Sequence, residues 1–116
     1  MIKLIIFIYI LPPNVSNVSM VINQSDLVSK EIVLKQAILE TGWFRSYSCR
    51  VRNNLFGLTK PKGGYFEFNH WAESVKGYLT KVQYKLNPKE NYYKFLKRIG
   101  YATDSNYIKK LKMIKL

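Results

Sequence analysis

Seven carboxylates are present in the chain, and their settings decide which of them can do chemistry. Glu31 opens an apolar-periodic run, where a negative charge meets the positive end of a helix dipole. Glu90 closes a capping box begun at Asn87, Asp104 is placed to cap a helix, and Asp26 falls in a loop. Glu40 has no such role. The stretch QAILETGWFRS carries it in the last turn of its helical run, where the carbonyl end disfavours negative charge, with Ala37, Trp43 and Phe44 around it. Both effects raise its proton affinity. A carboxylic acid that keeps its proton near neutral pH is what protonation of a glycosidic oxygen requires. The competing reading of the same residues is a glutamate on the exposed edge of an amphipathic helix.

Other reactive side chains are scarce. One cysteine, Cys49, excludes an internal disulfide and any multi-cysteine metal site, and it reads as a small buried side chain. A Cys49–His70 nucleophilic pair would need the fold to bring its only histidine to its only thiol. One histidine and scattered acids assemble no metal site, so neither metal nor cofactor is expected.

The elements that position Glu40 follow from periodicity. Ser29 is a candidate cap, and Ile32, Val33, Gln36, Ala37, Glu40 and Phe44 recur at three- and four-residue spacing up to a stop at Gly42. NNLFGLTKPKGGYFEF predicts two short strands, Leu55–Thr59 and Tyr65–Phe68, joined by a turn at Pro61, Gly63 and Gly64. A second helix carries Trp71, Val75, Tyr78, Leu79 and Val82 on one stripe. NPKENYYKFLKRIG predicts a third, with Asn87 as cap, Pro88 in the first turn and Gly100 as its end. The last starts near Thr103 or Asp104 and presents Tyr107, Ile108, Leu111 and Ile114. The expected fold is α+β and mainly helical, with one short β-hairpin and with Trp43 and Trp71 both buried.

At 116 residues, 47% apolar and 15% aromatic, the chain holds one core. Residues 1–24 form an apolar N-terminal segment and 25–116 the functional domain. In MIKLIIFIYILPP the apolar run is the size of a signal-peptide core and too short to span a bilayer, while NVSNVSM lacks a clear small-residue cleavage pair. A leader and a first structural element fit it equally. The formal charge of +12 calls for an anionic partner, whether wall polymer, nucleic acid or lipid. Lysines in YYKFLKR and YIKKLKMIK fall largely opposite the apolar stripes, as on any solvated face, which ranks nucleic acid low.

Taken in order, IVLKQAILETGWFRS, NNLFGL, the F-x-H-W-x-E-S-V pattern from Phe68 to Val75, and GYATDSNYIKKLKMI resemble the successive motifs of the bacterial peptidoglycan endo-β-N-acetylglucosaminidases. These are the glucosaminidase domains of autolysins and flagellar cell-wall hydrolases. The resemblance implies a lysozyme-like fold whose cleft lies between a helical lobe and a small hairpin lobe. It implies cleavage of the β-1,4 bond after N-acetylglucosamine, with Glu40 as general acid and Tyr101 lining the catalytic site. Asn53, Asn54 and Phe56 then belong to the motif that shapes the cleft floor, with Trp43 beside the acid as a further substrate contact. Asparagines there serve equally to satisfy backbone groups. Members often carry a second acid on a longer hairpin lobe; here Glu67 and Glu73 are the nearby candidates. Phe44 stands where a glycine is common in the family. The partners so implied are wall glycan strands and anionic wall polymers, and the location is secreted or cell envelope. Alternatives are a lytic transglycosylase or muramidase of the same lysozyme-like group, or a non-catalytic basic module that binds glycan or nucleic acid.

Overall fold

The computed structural model describes residues 10–116; most of the N-terminal apolar run, and with it the choice between leader and first element, lies outside the described residues. Helix α1, Val15–Gln24, starts where the Asn14 side chain accepts the Asn17 N–H at 2.8 Å, and it buries Val18 and Ile22. Helix α2, Lys30–Thr41, packs beside it. Ser29 precedes α2 in a left-handed conformation, φ 50°, so its hydroxyl makes no cap, contrary to the expectation. Gly42 ends α2 as predicted, at φ 55°, its N–H returning to Ile38.

Two further left-handed residues, Trp43 and Phe44, follow Gly42. The run rotates Phe44 into the core and leaves Trp43 50% exposed, which corrects the expectation that both tryptophans are buried. Trp71 is 2% exposed and donates from Nε1 to the Leu11 carbonyl at 2.8 Å.

Helix α3, Tyr47–Arg52, is capped by Ser46, whose hydroxyl accepts the Cys49 N–H. It is too short to reveal itself by apolar period. The segment after it does not form the predicted hairpin: the described residues there hold one antiparallel bridge, Thr59 with Tyr65. Phe66 donates to the Leu58 carbonyl at 2.9 Å, but Phe68 then donates to Arg52 instead of extending the ladder. The Asn54 amide takes the carbonyls of Leu58 and Phe66 and accepts the Leu58 N–H, occupying backbone groups that a second bridge would share.

Helix α4, Trp71–Lys81, begins with the His70 Nδ1 accepting the Ala72 N–H, and it buries Trp71, Val75 and Tyr78. A single 3-10 turn, Gln83–Lys85, follows. Helix α5, Tyr92–Arg98, starts later than predicted, with Asn91 and not Asn87 as its cap. Glu90 does accept the Asn87 N–H, at 3.1 Å, but it also binds the Arg98 guanidinium at 2.7 and 2.8 Å, and Lys89 is left-handed, so NPKE folds as a separate turn. Helix α6, Tyr107–Met113, likewise begins after Asp104, which accepts the Asn106 N–H and pairs with Lys110. No helix among the described residues is long and apolar enough to cross a membrane.

A buried polar chain links these helices. Tyr78 donates to the Gln36 carbonyl oxygen, shares a 2.7 Å hydrogen bond with Tyr92, and Tyr92 accepts from Gln83 at 2.9 Å. Gln36 in turn donates to the Tyr107 hydroxyl at 3.3 Å. Each side chain of this network finds a partner, which fixes how α2, α4, α5 and α6 meet.

Candidate active site

Glu40 leaves the last turn of α2 and meets the loop that follows α3. That loop is closed on itself by Asn54, 1% exposed, whose Nδ2 donates to the Leu58 and Phe66 carbonyls at 2.9 and 3.0 Å. The closure places Gly57 directly against the acid. Gly57 has φ 64°, and a Cβ there would stand 3.1 Å from the Glu40 Oε2. Only a glycine offers both the left-handed backbone and the missing carbon.

Tyr101 holds the same loop from the far side. Its hydroxyl donates to the Phe56 carbonyl at 2.8 Å, one residue before Gly57. Burial, then the neighbouring Tyr107 and Glu40, push its proton affinity well above that of an ordinary tyrosine, so it stays a donor. Phe56 is buried beneath, its ring centre 4.5 Å from that of Tyr78.

Two cavities meet at this point, of about 250 and 660 Å³, and both are lined by Glu40, Gly57, Thr59 and Tyr101. The smaller continues past Phe56 and Leu58 to Lys81 and Lys85; the larger continues past Asn54 to Ser48, Arg52 and Tyr65, with Asp104, Tyr107 and Lys110 on its other wall. Although the Glu40 side chain opens to solvent, the packed walls desolvate its carboxyl and raise its pKa above the usual carboxylate range, and a hydrogen bond from Tyr107 partly offsets the rise. A carboxyl of raised proton affinity, at the meeting point of two grooves, can serve as a general acid to an elongated substrate.

The other predicted residues divide. Asn54 and Phe56 line the larger and the smaller cavity respectively, and Asn53 donates to the Phe68 carbonyl at 3.0 Å, outside both. The backbone-satisfying role weighed for the asparagines is therefore the one their hydrogen bonds express. Trp43, Glu67 and Glu73 line neither cavity. Asp104 does line the larger one, and its hydrogen bonds from Lys110 and the Asn106 N–H hold it below the usual carboxylate range. Tyr107 is a site residue that periodicity hides, because it also belongs to the apolar stripe of α6; its place in GYATDSNYIKK, close behind Tyr101, is the available signal.

Cys49 is fully buried, and desolvation pushes its thiol up to about 11, the nearby Arg50 opposing only in part. The His70 Nδ1 is occupied at the start of α4. Among the described residues no three His, Cys, Asp or Glu side chains gather as a metal site.

The family model for Glucosaminidase, described as mannosyl-glycoprotein endo-beta-N-acetylglucosaminidase, matches residues 18–115, nearly the whole described chain. The chain belongs to this family. Membership of the glucosaminidase family implies glycoside hydrolase activity, and the mainly helical fold is consistent with a lysozyme-like architecture. The matched region begins inside α1, in line with the burial of Val18 and Ile22 in the common core. The chain is also similar to Protein bax of Escherichia coli (strain K12), 34% identical in an alignment of 67 residues that covers 49% of this chain and 24% of that protein. It thus spans about a quarter of that relative's length. No solved structure matches the chain.

Proposed function

We propose that this glucosaminidase-family protein hydrolyses the β-1,4 bond after N-acetylglucosamine in bacterial peptidoglycan, with Glu40 as the general acid. The observation that carries the reading is the position of Glu40 where two cavities join. A glycan strand laid through both presents one linkage to the acid, with sugars on either side. The protonated carboxyl gives its proton to the glycosidic oxygen as the bond from the anomeric carbon to that oxygen breaks. The bonding pair leaves with the oxygen, the sugar ring shares the positive charge, and water completes the hydrolysis. The carboxylate so formed is met by the Tyr107 hydroxyl. Tyr101 and Asn54 act through the loop, holding Gly57 where it limits the rotation of Glu40.

The net charge of +12 supports work on an anionic wall, in the cell envelope or outside the cell. The test is digestion of intact peptidoglycan by wild type and by Glu40→Gln, with mass spectrometry of the soluble fragments. New reducing-end N-acetylglucosamine from the wild type alone is the expected result. Reducing-end N-acetylmuramic acid or its anhydro form would instead assign a muramidase or a lytic transglycosylase. Binding by both proteins without release of fragments would leave a non-catalytic module.

A further inference from the structure

The larger cavity ends at a side chain that the acid chemistry does not use. Arg52 closes α3, and its backbone carbonyl accepts the Phe68 N–H at 2.9 Å, which anchors its Cα at the root of the loop. Its guanidinium carbon lies 5.2 Å from the centre of the Tyr47 ring and 4.9 Å from that of Tyr65. Both rings face solvent, 60% and 46% exposed, so core packing does not account for their presence. Two aromatic contacts restrain a long side chain that is otherwise free to sample many rotamers.

Among the described residues no hydrogen bond engages the Arg52 guanidinium, so its N–H fork remains available to a planar oxyanion. Among the described residues Arg52 is in no ion pair, whereas Lys110, the other cation lining this cavity, is bonded to Asp104. The larger cavity therefore offers, in Arg52, a restrained cation whose charge is not already met by a carboxylate of that cavity. Arg52 and Glu40 line the same groove, so a group held by Arg52 belongs to a substrate that also reaches the acid.

We infer that Arg52, stacked with Tyr47 and Tyr65, is a subsite for a carboxylate carried on the glycan that occupies the Glu40 cleft. Resting on the proposed peptidoglycan substrate, it assigns that carboxylate to the peptides borne by alternate sugars. A glycan without carboxylates fills the groove without engaging Arg52. The subsite thus distinguishes peptide-bearing strands from carboxylate-free ones.

The experiment measures dissociation constants in the Glu40→Gln background, so that binding is read without cleavage. The probes are soluble glycan strands bearing peptides, β-1,4 N-acetylglucosamine strands, which carry no carboxylate, and a glycerol phosphate polymer. Adding Arg52→Ala is expected to weaken binding of peptide-bearing strands by roughly 10- to 100-fold, the scale of a charge-assisted hydrogen-bonded pair. On the carboxylate-free strands the same change is expected to cost about threefold or less, through a looser Tyr65. Arg52→Lys, which keeps the charge without the fork, is expected to recover only a small part of the loss, and thermal unfolding checks that each variant is folded. Equal losses on both strands, or none on either, would overturn the subsite. A loss confined to the phosphate polymer would overturn its assignment to carboxylate. Cleavage of both strands by the wild type is scored separately. If the wild type cuts neither strand while the Arg52-dependent preference persists, the hydrolase reading falls and the subsite stands.

Discussion

Gly57→Ala separates the geometry of the acid from the stability of the fold. The left-handed backbone at φ 64° costs an L-residue about 1–2 kcal/mol, and this penalty falls on the whole domain. The added Cβ would also stand 3.1 Å from Glu40 Oε2 and 3.8 Å from its carboxyl carbon, closer than ordinary van der Waals contact for the first. Because the obstacle is the end of a flexible side chain, the carboxyl gives way by a few tenths of an ångström at little further cost in stability. Catalysis is less tolerant. A displacement of about 1 Å can cost ~100-fold in rate, so roughly 5- to 50-fold is expected here. Gly100→Ala is the matched control, since Gly100 has φ 62° and nothing within 4 Å of an added Cβ. It should lose the same ~1–2 kcal/mol in urea unfolding yet clear peptidoglycan within about threefold of wild type. Equal activity losses in the two variants, or full activity in Gly57→Ala, would show that the contact between residue 57 and Glu40 has no part in the reaction.

Glu40→Gln is expected to fold, to bind glycan, and to lose about 100- to 10,000-fold in turnover by reducing-end assay, the scale of lost general-acid help. Since desolvation raises the Glu40 pKa above its ordinary value of 4.5, wild-type turnover should be retained above that pH and fall as pH rises through the raised pKa. The stability linkage has the same sign: the folded state holds this proton more tightly than the unfolded one, so the contribution is complete below the unfolded pKa and is lost as pH rises through the folded pKa. Glu40→Gln should therefore gain on the wild type in urea unfolding between acid and neutral pH; a constant difference would refute the raised pKa. Tyr101→Phe leaves the Phe56 carbonyl without its donor, which should lower stability by about 1–3 kcal/mol and turnover by roughly 10- to 1000-fold, while unchanged kinetics would make Tyr101 a packing residue only. Trp71→Ala should cost about 3–5 kcal/mol and give a poorly folded chain on thermal denaturation, because it empties a core site and frees the Leu11 carbonyl; a cooperative transition near the wild-type temperature would refute the placement of α4.

The helix most legible in the sequence is α4, whose predicted stripe is buried at Trp71, Val75 and Tyr78 and at Val82 just beyond its end; α2, buried on more than one side, is legible by its stop at Gly42. The misplaced boundaries share one cause: short polar side chains support several local turns, and tertiary contacts choose among them. Glu90 makes the expected contact with Asn87, yet its double bond to Arg98 turns the segment into a brace instead of a first helical turn. Likewise, alternation in NNLFGLTKPKGGYFEF describes the faces of Phe66 and Phe68 but not the number of ladder bonds, which Asn54 and Arg52 divert. Trp43 was beyond periodic reasoning for a similar reason, since three successive left-handed residues reverse which of two adjacent aromatics faces inward.

The candidate site divides along the same line. Glu40 is singled out by local chemistry, because its place at a helix end and its apolar neighbours are written within a few residues of it. Its partners are assembled from distant segments, Gly57 from one loop, Tyr101 from the turn after α5 and Tyr107 from α6, while Gln36, one turn below the acid on α2, supports Tyr107. Gln36 illustrates why such partners escape a one-dimensional reading. On the helix it occupies a core position, and its amide is tolerated there because Tyr78 and Tyr107 satisfy it. The bond to Tyr107 that makes this burial tolerable also steadies the hydroxyl that answers Glu40, so a residue whose first duty is to the core contributes to the electrostatics of the cleft.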